Sequence, residues 1–199
     1  MFVADPNNNR VLLWNAVPTA SGSAAAVVLG QPNMTSATAN NGGLSAQSLS
    51  FPEFAYTSSG KLFVVDTGNN RVLIWNAVPA ANRAPADLVL GQPDLTSGSA
   101  LATSARALRG PQSVHVDAAG RLYVVDGGNN RILYWNAIPS QSYVPADGVI
   151  GQPDLNSDLA NNGGLSARRL QNPGGVLAIE DRLYIADSGN NRIVVLPRP

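Results

Sequence analysis

The hexapeptide Asp66-Thr-Gly-Asn-Asn-Arg71 runs straight into an apolar stretch, Val-Leu-Ile-Trp-Asn76, and this arrangement occurs four times. Its copies lie at Asp5–Arg10, Asp66–Arg71, Asp126–Arg131 and Asp187–Arg192, so the arginines stand 61, 60 and 61 residues apart. A fixed period of that size marks a repeat architecture, in which each unit buries its hydrophobic surface against its neighbours. The period divides the chain into a partial repeat 1–50, repeats 51–110 and 111–172, and a partial repeat 173–199 of one segment.

Four β-rich runs recur inside each repeat between turn signals. In the third copy they are Ser113-Val-His-Val116, Leu122-Tyr-Val-Val125, Arg131-Ile-Leu-Tyr-Trp135 and Gly148-Val-Ile150. We label them a, b, c and d. Most are apolar on both faces, where a half-solvated sheet would alternate. Each sheet is therefore predicted to be sandwiched between two others. Four antiparallel strands per roughly 60 residues, buried on both faces, is the pattern of a β-propeller blade, so the expected class is all-β.

Charged residues make up only 13% of the chain, against about 25% in an average globular protein, so the exposed loops are polar but mostly uncharged. Net charge is zero and there is a single Lys, which disfavours nucleic acid as a partner. There is no Cys, so neither disulfides nor a Cys-based zinc site is available. No apolar run approaches the ~20 residues of a membrane span, and no signal peptide precedes Phe2. Met1-Phe-Val-Ala-Asp5 aligns with Leu62-Phe-Val-Val-Asp66, so the chain opens inside a strand and reads as a segment of a longer repeat protein.

The repeated turn has its own chemistry. Gly68, Gly128 and Gly189, with Asn7 in the first copy, are expected at positive φ. Asp5, Asp66, Asp126 and Asp187 are placed to accept hydrogen bonds from turn amides. Arg10, Arg71, Arg131 and Arg192 are placed to bridge carboxylates or carbonyls of their own or an adjacent blade. A site is built once, not four times, so these pairs are read as structural. Trp14, Trp75 and Trp135 are equivalent, with Leu196 in the last copy, and are expected to form a ring of packed aromatics.

Gly120-Arg-Leu-Tyr-Val-Val-Asp-Gly-Gly-Asn-Asn-Arg-Ile132, preceded by Gly110-Pro-Gln-Ser-Val-His-Val-Asp117, resembles the NHL repeat. The Gly-Gln-Pro tripeptides at Gly30, Gly91 and Gly151 resemble a long-period variety found in bacterial surface or exported proteins. The resemblance covers essentially the whole chain and implies a β-propeller and an extracytoplasmic or secreted bacterial setting. The strands amount to about 3.5 blades, and propellers typically need at least four to close. The leading expectation is a homodimer that completes one ring. A four-bladed monomer and a fragment of a longer propeller are the alternatives.

Topology puts the a–b and c–d connections on one side and the b–c turns with the d–a crossovers on the other. The crossovers, from Asn33 to Phe51, Asp94 to Gly110 and Asp154 to Asn172, are long enough to be candidate binding loops. Ser45-Ala-Gln-Ser-Leu49 and its counterparts from Ser104 and Ser166 are predicted to form short capped helical turns whose Leu tucks inward. Positions that vary between copies include Glu53, Gln112 and Arg109 near the expected channel mouth. Arg106, Arg168 and Arg169 add positive charge there, suited to a small anion or acidic glycan. His115, the one histidine, lies within strand a and is expected to be packed and hydrogen-bonded; it completes the candidate set.

No metal site or cofactor is predicted, because the Asn and Asp clusters lack the spacing of a calcium loop and a lone His is short of a zinc set. The favoured function is a non-catalytic scaffold for a peptide, protein or glycan. The alternatives are a propeller enzyme of lyase or hydrolase type, single-stranded RNA binding, and a purely structural or engineered fragment. Some NHL relatives are amidating lyases, but their sites depend on several His residues and this chain has one.

Overall fold

The computed structural model describes residues 1–199 and contains fourteen strands and no α-helix. They form four antiparallel sheets in chain order. The first holds β1 (Phe2–Asp5), β2 (Arg10–Leu13) and β3 (Val27–Leu29). The second holds β4 (Pro52–Ser58), β5 (Lys61–Asp66), β6 (Arg71–Trp75) and β7 (Leu88–Leu90). The third holds β8 (Pro111–Val116), β9 (Leu122–Asp126), β10 (Arg131–Trp135) and β11 (Gly148–Ile150), and the fourth β12 (Gly175–Ile179), β13 (Arg182–Asp187) and β14 (Arg192–Pro197). Every sheet is a meander in sequence order. The first lacks strand a, and the last lacks strand d.

Both faces of the two middle sheets are buried, which is why their strands do not alternate in polarity. Phe63, Val65, Val72 and Ile74 point from the second sheet toward the third, where they meet Val114, Leu122, Val124 and Leu133. Leu62, Val64, Leu73 and Trp75 occupy the alternate positions and pack against Val11, Leu13, Val27 and Leu29 of the first sheet. A third core joins Tyr123, Val125 and Ile132 to Leu183, Ile185 and Val194 of the fourth sheet. Successive residues of a strand project to opposite sides, so one strand supplies two cores.

The tryptophans do not form a ring. Trp75 and Trp135 sit in separate inter-sheet cores, Trp14 is only partly buried, and no two of the three are in ring contact. Each indole N–H instead donates to a carbonyl nine residues on, those of Ser23, Ala84 and Val144, at 3.0, 3.1 and 3.4 Å. The large side chain fills the gap between sheets while its polar edge anchors the c–d loop.

Positive φ in the b–c turn falls on Asn9, Asn70, Asn130 and Asn191, not on the glycines. Each turn is one 3-10 turn that ends at that left-handed Asn. Gly68 is required for a different reason: a Cβ there would lie 2.7 Å from the Ser50 carbonyl oxygen. Gly128 and Gly189 face the same obstruction, 2.6 Å from the carbonyl oxygens of Arg109 and Gln171. Asn7 stands at that position in the first sheet, where no preceding crossover approaches.

The outermost faces carry residues that are core elsewhere. Ile193 is 64% exposed, whereas Val72 and Ile132 at the same repeat position are fully buried. Tyr184 is exposed where Phe63 and Tyr123 are buried, and Val3 where Val64 and Val124 are buried. Val3 looks toward the side on which a preceding sheet would stand, and Ile193 toward the side of a following one.

Candidate functional site

The long crossovers are held rigidly by a polar network that originates in the repeated hexapeptide. In the second sheet the Asp66 Oδ2 accepts from Arg71 Nε and from Asn69 Nδ2, both at 2.7 Å. Its Oδ1 accepts the Ser50 backbone N–H at 2.7 Å, fastening the end of the incoming crossover. The Arg71 guanidinium donates to the carbonyls of Ser45, Ser48 and Leu95, and so ties that crossover to the next. Asp126 and Arg131 repeat the pattern with Ser104, Ala107 and Leu155. Burial pushes the Asp66 and Asp126 carboxyls up, against the opposing pull of the arginine and the donated amides.

Two further side chains, not singled out by the sequence, complete the network. The left-handed Asn9, Asn70 and Asn130 accept from the backbone N–H of Phe51, Gly110 and Asn172 across the joint to the next sheet. Gln31, Gln92 and Gln152 of the Gly-Gln-Pro tripeptides are buried, and each donates to the carbonyl of the left-handed Asn of its sheet's b–c turn and to a carbonyl seven residues on, inside the crossover. The recurrence of Asn-Asn-Arg and Gly-Gln-Pro was the available signal. The crossover backbone is thus committed to the scaffold.

The predicted helical turns are single turns without helix. Ser45 Oγ accepts from the Gln47 N–H at 3.2 Å, and Leu49, Leu108 and Leu170 are buried as expected.

Most of the candidate residues lie on this face, whereas His115 stands near the opposite, a–b end of β8. Glu53 and Gln112 occupy the bulges at which β4 and β8 begin, between Pro52 and Phe54 and between Pro111 and Ser113. Burial raises the Glu53 carboxyl, and Gln112 Nε2 donates to Asn172 Oδ1 at 3.2 Å. His115 is half-buried beside Tyr56, ring centroids 5.6 Å apart, with its Nε2 lacking a hydrogen-bond partner. Burial lowers its pKa, with the Ala178 backbone and Asp117 acting the other way. Arg109 is exposed, and Arg106 lies 5.6 Å over the Tyr143 ring. No three His, Asp or Glu side chains converge in a geometry that could hold a metal ion.

Arg168 and Arg169 do come together, in an open groove of about 640 Å³ bounded by Val149, Ile150, Ala167 and Leu196. The two internal joints explain its shape. At the first, the c–d loop of the second sheet covers the outer edge of β3: the Val28 N–H donates to Asn82 Oδ1, and the Arg83 N–H donates to the Val28 carbonyl, at 3.0 and 2.8 Å. The Ala86 N–H donates to the Ala46 carbonyl at 2.9 Å. At the second, Ser142, Tyr143 and Ala146 make the same three bonds to Val89 and Ala105, at 3.1, 3.0 and 2.8 Å. Val149 and Ala167 hold the corresponding positions on the third sheet. No c–d loop packs beside them, and Val149 is partly exposed where Val28 and Val89 are fully buried.

No family model matches the chain, and no curated protein matches it either. A solved structure does. It is an auxiliary nutrient binding protein from Bacteroides thetaiotaomicron, similar at a TM-score of 0.55 and 13% identity over 96% of this chain. The aligned region is 43% of that protein, so this chain spans less than half its length. At that identity the likeness concerns the fold, an all-β arrangement of successive antiparallel sheets.

Proposed function

We propose that this chain is a non-catalytic binding scaffold, a β-propeller segment of NHL type whose ring is completed by association. The reading rests on one observation above the others: Ile193 is 64% exposed at a position fully buried in both middle sheets. An apolar sheet face of that kind is an association surface in a soluble repeat protein. The two open faces point in opposite directions, Val3 backward and Ile193 forward along the sheet order. Head-to-tail pairing of two copies would bury both pairs of ends and close a ring of eight sheets, within the usual range for propellers.

A binding role agrees with the structural neighbour's being an auxiliary nutrient binding protein. In a closed ring the innermost strands β4, β8 and β12 would line the channel, with Glu53, Gln112 and His115 along it and Arg106, Arg109, Arg168 and Arg169 around the crossover side. Light scattering over a range of concentrations tests the assembly. A mass twice the 20.7 kDa of the chain is expected. A monomer at all concentrations would overturn it.

A further inference from the structure

The second crossover is shorter by two residues between Gln92 and Ser104 than the others are between Gln31 and Ser45 or Gln152 and Ser166, and it lacks their Asn-Asn pair. That pair bridges two sheets. At the first joint Asn41 Nδ2 donates to Gln31 Oε1 at 3.3 Å, while Asn40 and Asn69 exchange side-chain amide bonds at 2.9 and 2.8 Å. Between the third and fourth sheets Asn162 and Asn161 make the same contacts to Gln152 and Asn190. The two Asn are chain neighbours, so the Gln and Asn oxygens that they serve face one space.

At the second joint both donors are missing. Gln92 is fully buried and its Oε1 has no hydrogen-bond partner. Its Nε2 is committed to the carbonyls of Asn70 and Ser99, which fixes the amide's orientation. Asn129 is fixed in the same way, with Nδ2 donating to Asp126 Oδ2 at 2.9 Å and Oδ1 left facing the joint.

An acid and a hydroxyl stand there instead. Asp158 holds the repeat position of Ala37 and Gly98, and Thr103 that of Leu44 and Leu165. A Cβ on Gly98 would lie 3.0 Å from Leu44 and 3.2 Å from Asn69, so a side chain at this position projects onto the preceding crossover. Asp158 does so, its Oδ2 accepting from Thr103 Oγ1 at 2.7 Å. The same hydroxyl lies 3.3 Å from Asn129 Oδ1, but it has one proton and the carboxylate is the nearer acceptor. Oxygens of Gln92, Asn129 and Asp158 therefore share a single donor. Acceptors in excess of donors, carrying one negative charge, suit a hard cation.

We propose that the second joint binds a calcium-class cation through Thr103, Asn129 and Asp158, with Gln92 Oε1 completing the shell through a bound water. Oxygens spaced 2.7 and 3.3 Å apart suit neighbouring ligands of one ion at bonds of about 2.3–2.6 Å. The set has one carboxylate and draws its other ligands from neutral oxygens, which places it in the weak class, with a Kd of about 10⁻⁴–10⁻³ M. The ion ties the second crossover to the third sheet, the task that the Asn-Asn pair performs at the other joints.

The probe is calcium chloride alone, titrated by calorimetry into chelator-treated full chain, with thermal unfolding recorded in about 10 mM calcium or magnesium at matched ionic strength. Saturable binding and a rise in Tm of about 3–5 °C in calcium are expected. Asp158→Ala should abolish both, and Thr103→Leu should weaken binding about threefold or more. Each variant installs a residue found in another copy of the repeat, so both should fold. No saturable response up to about 10 mM would overturn the proposal, as would a calcium response unchanged in Asp158→Ala. An equal rise in magnesium would overturn the assignment to a large ion of irregular coordination. Neither readout depends on ring closure, which light scattering reports separately.

Discussion

Arg71 and Asp66 meet at 2.7 Å with neither side chain exposed to solvent, and the pair is the point at which two crossovers and one sheet are joined. A buried ion pair is costly to form, but truncating one partner strands the other without compensation. Here the guanidinium also serves three carbonyls, from Ser45, Ser48 and Leu95.

Arg71→Ala is therefore expected to cost about 3–5 kcal/mol of stability, read from urea unfolding. Arg10→Ala removes the equivalent pair from the first sheet, where both side chains are partly solvated and no incoming crossover is held. Its cost should be about 1 kcal/mol. Equal losses at the two sites would contradict the clamp as described.

Gly68→Ala should destabilise by about 1–3 kcal/mol, because the new methyl meets the Ser50 backbone. The matching change in the first sheet, Asn7→Ala, should fall within about 0.5 kcal/mol. Thermal unfolding of the two variants side by side separates a packing role from a positive-φ role, since Gly68 does not adopt positive φ.

His115 should titrate below its ordinary value of 6.5, mainly because burial disfavours the imidazolium. Between the lowered folded pKa and 6.5 the unfolded chain binds more protons than the folded one, so this residue makes stability rise with pH across that window. Above 6.5 it contributes no slope. As the one histidine in the chain it gives an unobstructed NMR titration, and a midpoint at or above 6.5 would refute the burial argument.

Ile193→Lys should weaken self-association without unfolding the sheets, because the side chain projects from the open face of the fourth sheet. The expected result is a lower mass by light scattering with an unchanged circular dichroism spectrum. Loss of the β spectrum would mean that Ile193 is needed within the single chain.

Fourteen strands, their limits to within a few residues and the burial of both sheet faces were all legible in the sequence, since period and polarity report local projection. The Asp–Arg pairs were legible because they recur beside the turn they build. The roles of Gly68, the left-handed asparagines and the tryptophans were misread or missed. Gly68 answers to Ser50, and Asn70 to Gly110, residues 18 and 40 positions away, whose approach only the packed sheets create. The candidate arginines looked alike in sequence, yet Arg106 lies over a covered joint and Arg168 beside an open one.

The sequence by itself determined the repeat, the all-β class and the number of strands, because strand and turn propensities act over a few neighbouring residues. The tertiary structure decided which copies of a repeated residue are core and which are surface. Val72, Ile132 and Ile193 hold one repeat position, and only the presence or absence of a following sheet separates burial from exposure. The same kind of cause leaves Val149 more exposed than Val28 and Val89, which the c–d loops of the second and third sheets cover: burial at a repeated position follows from which neighbour packs on it, and local sequence carries no record of that.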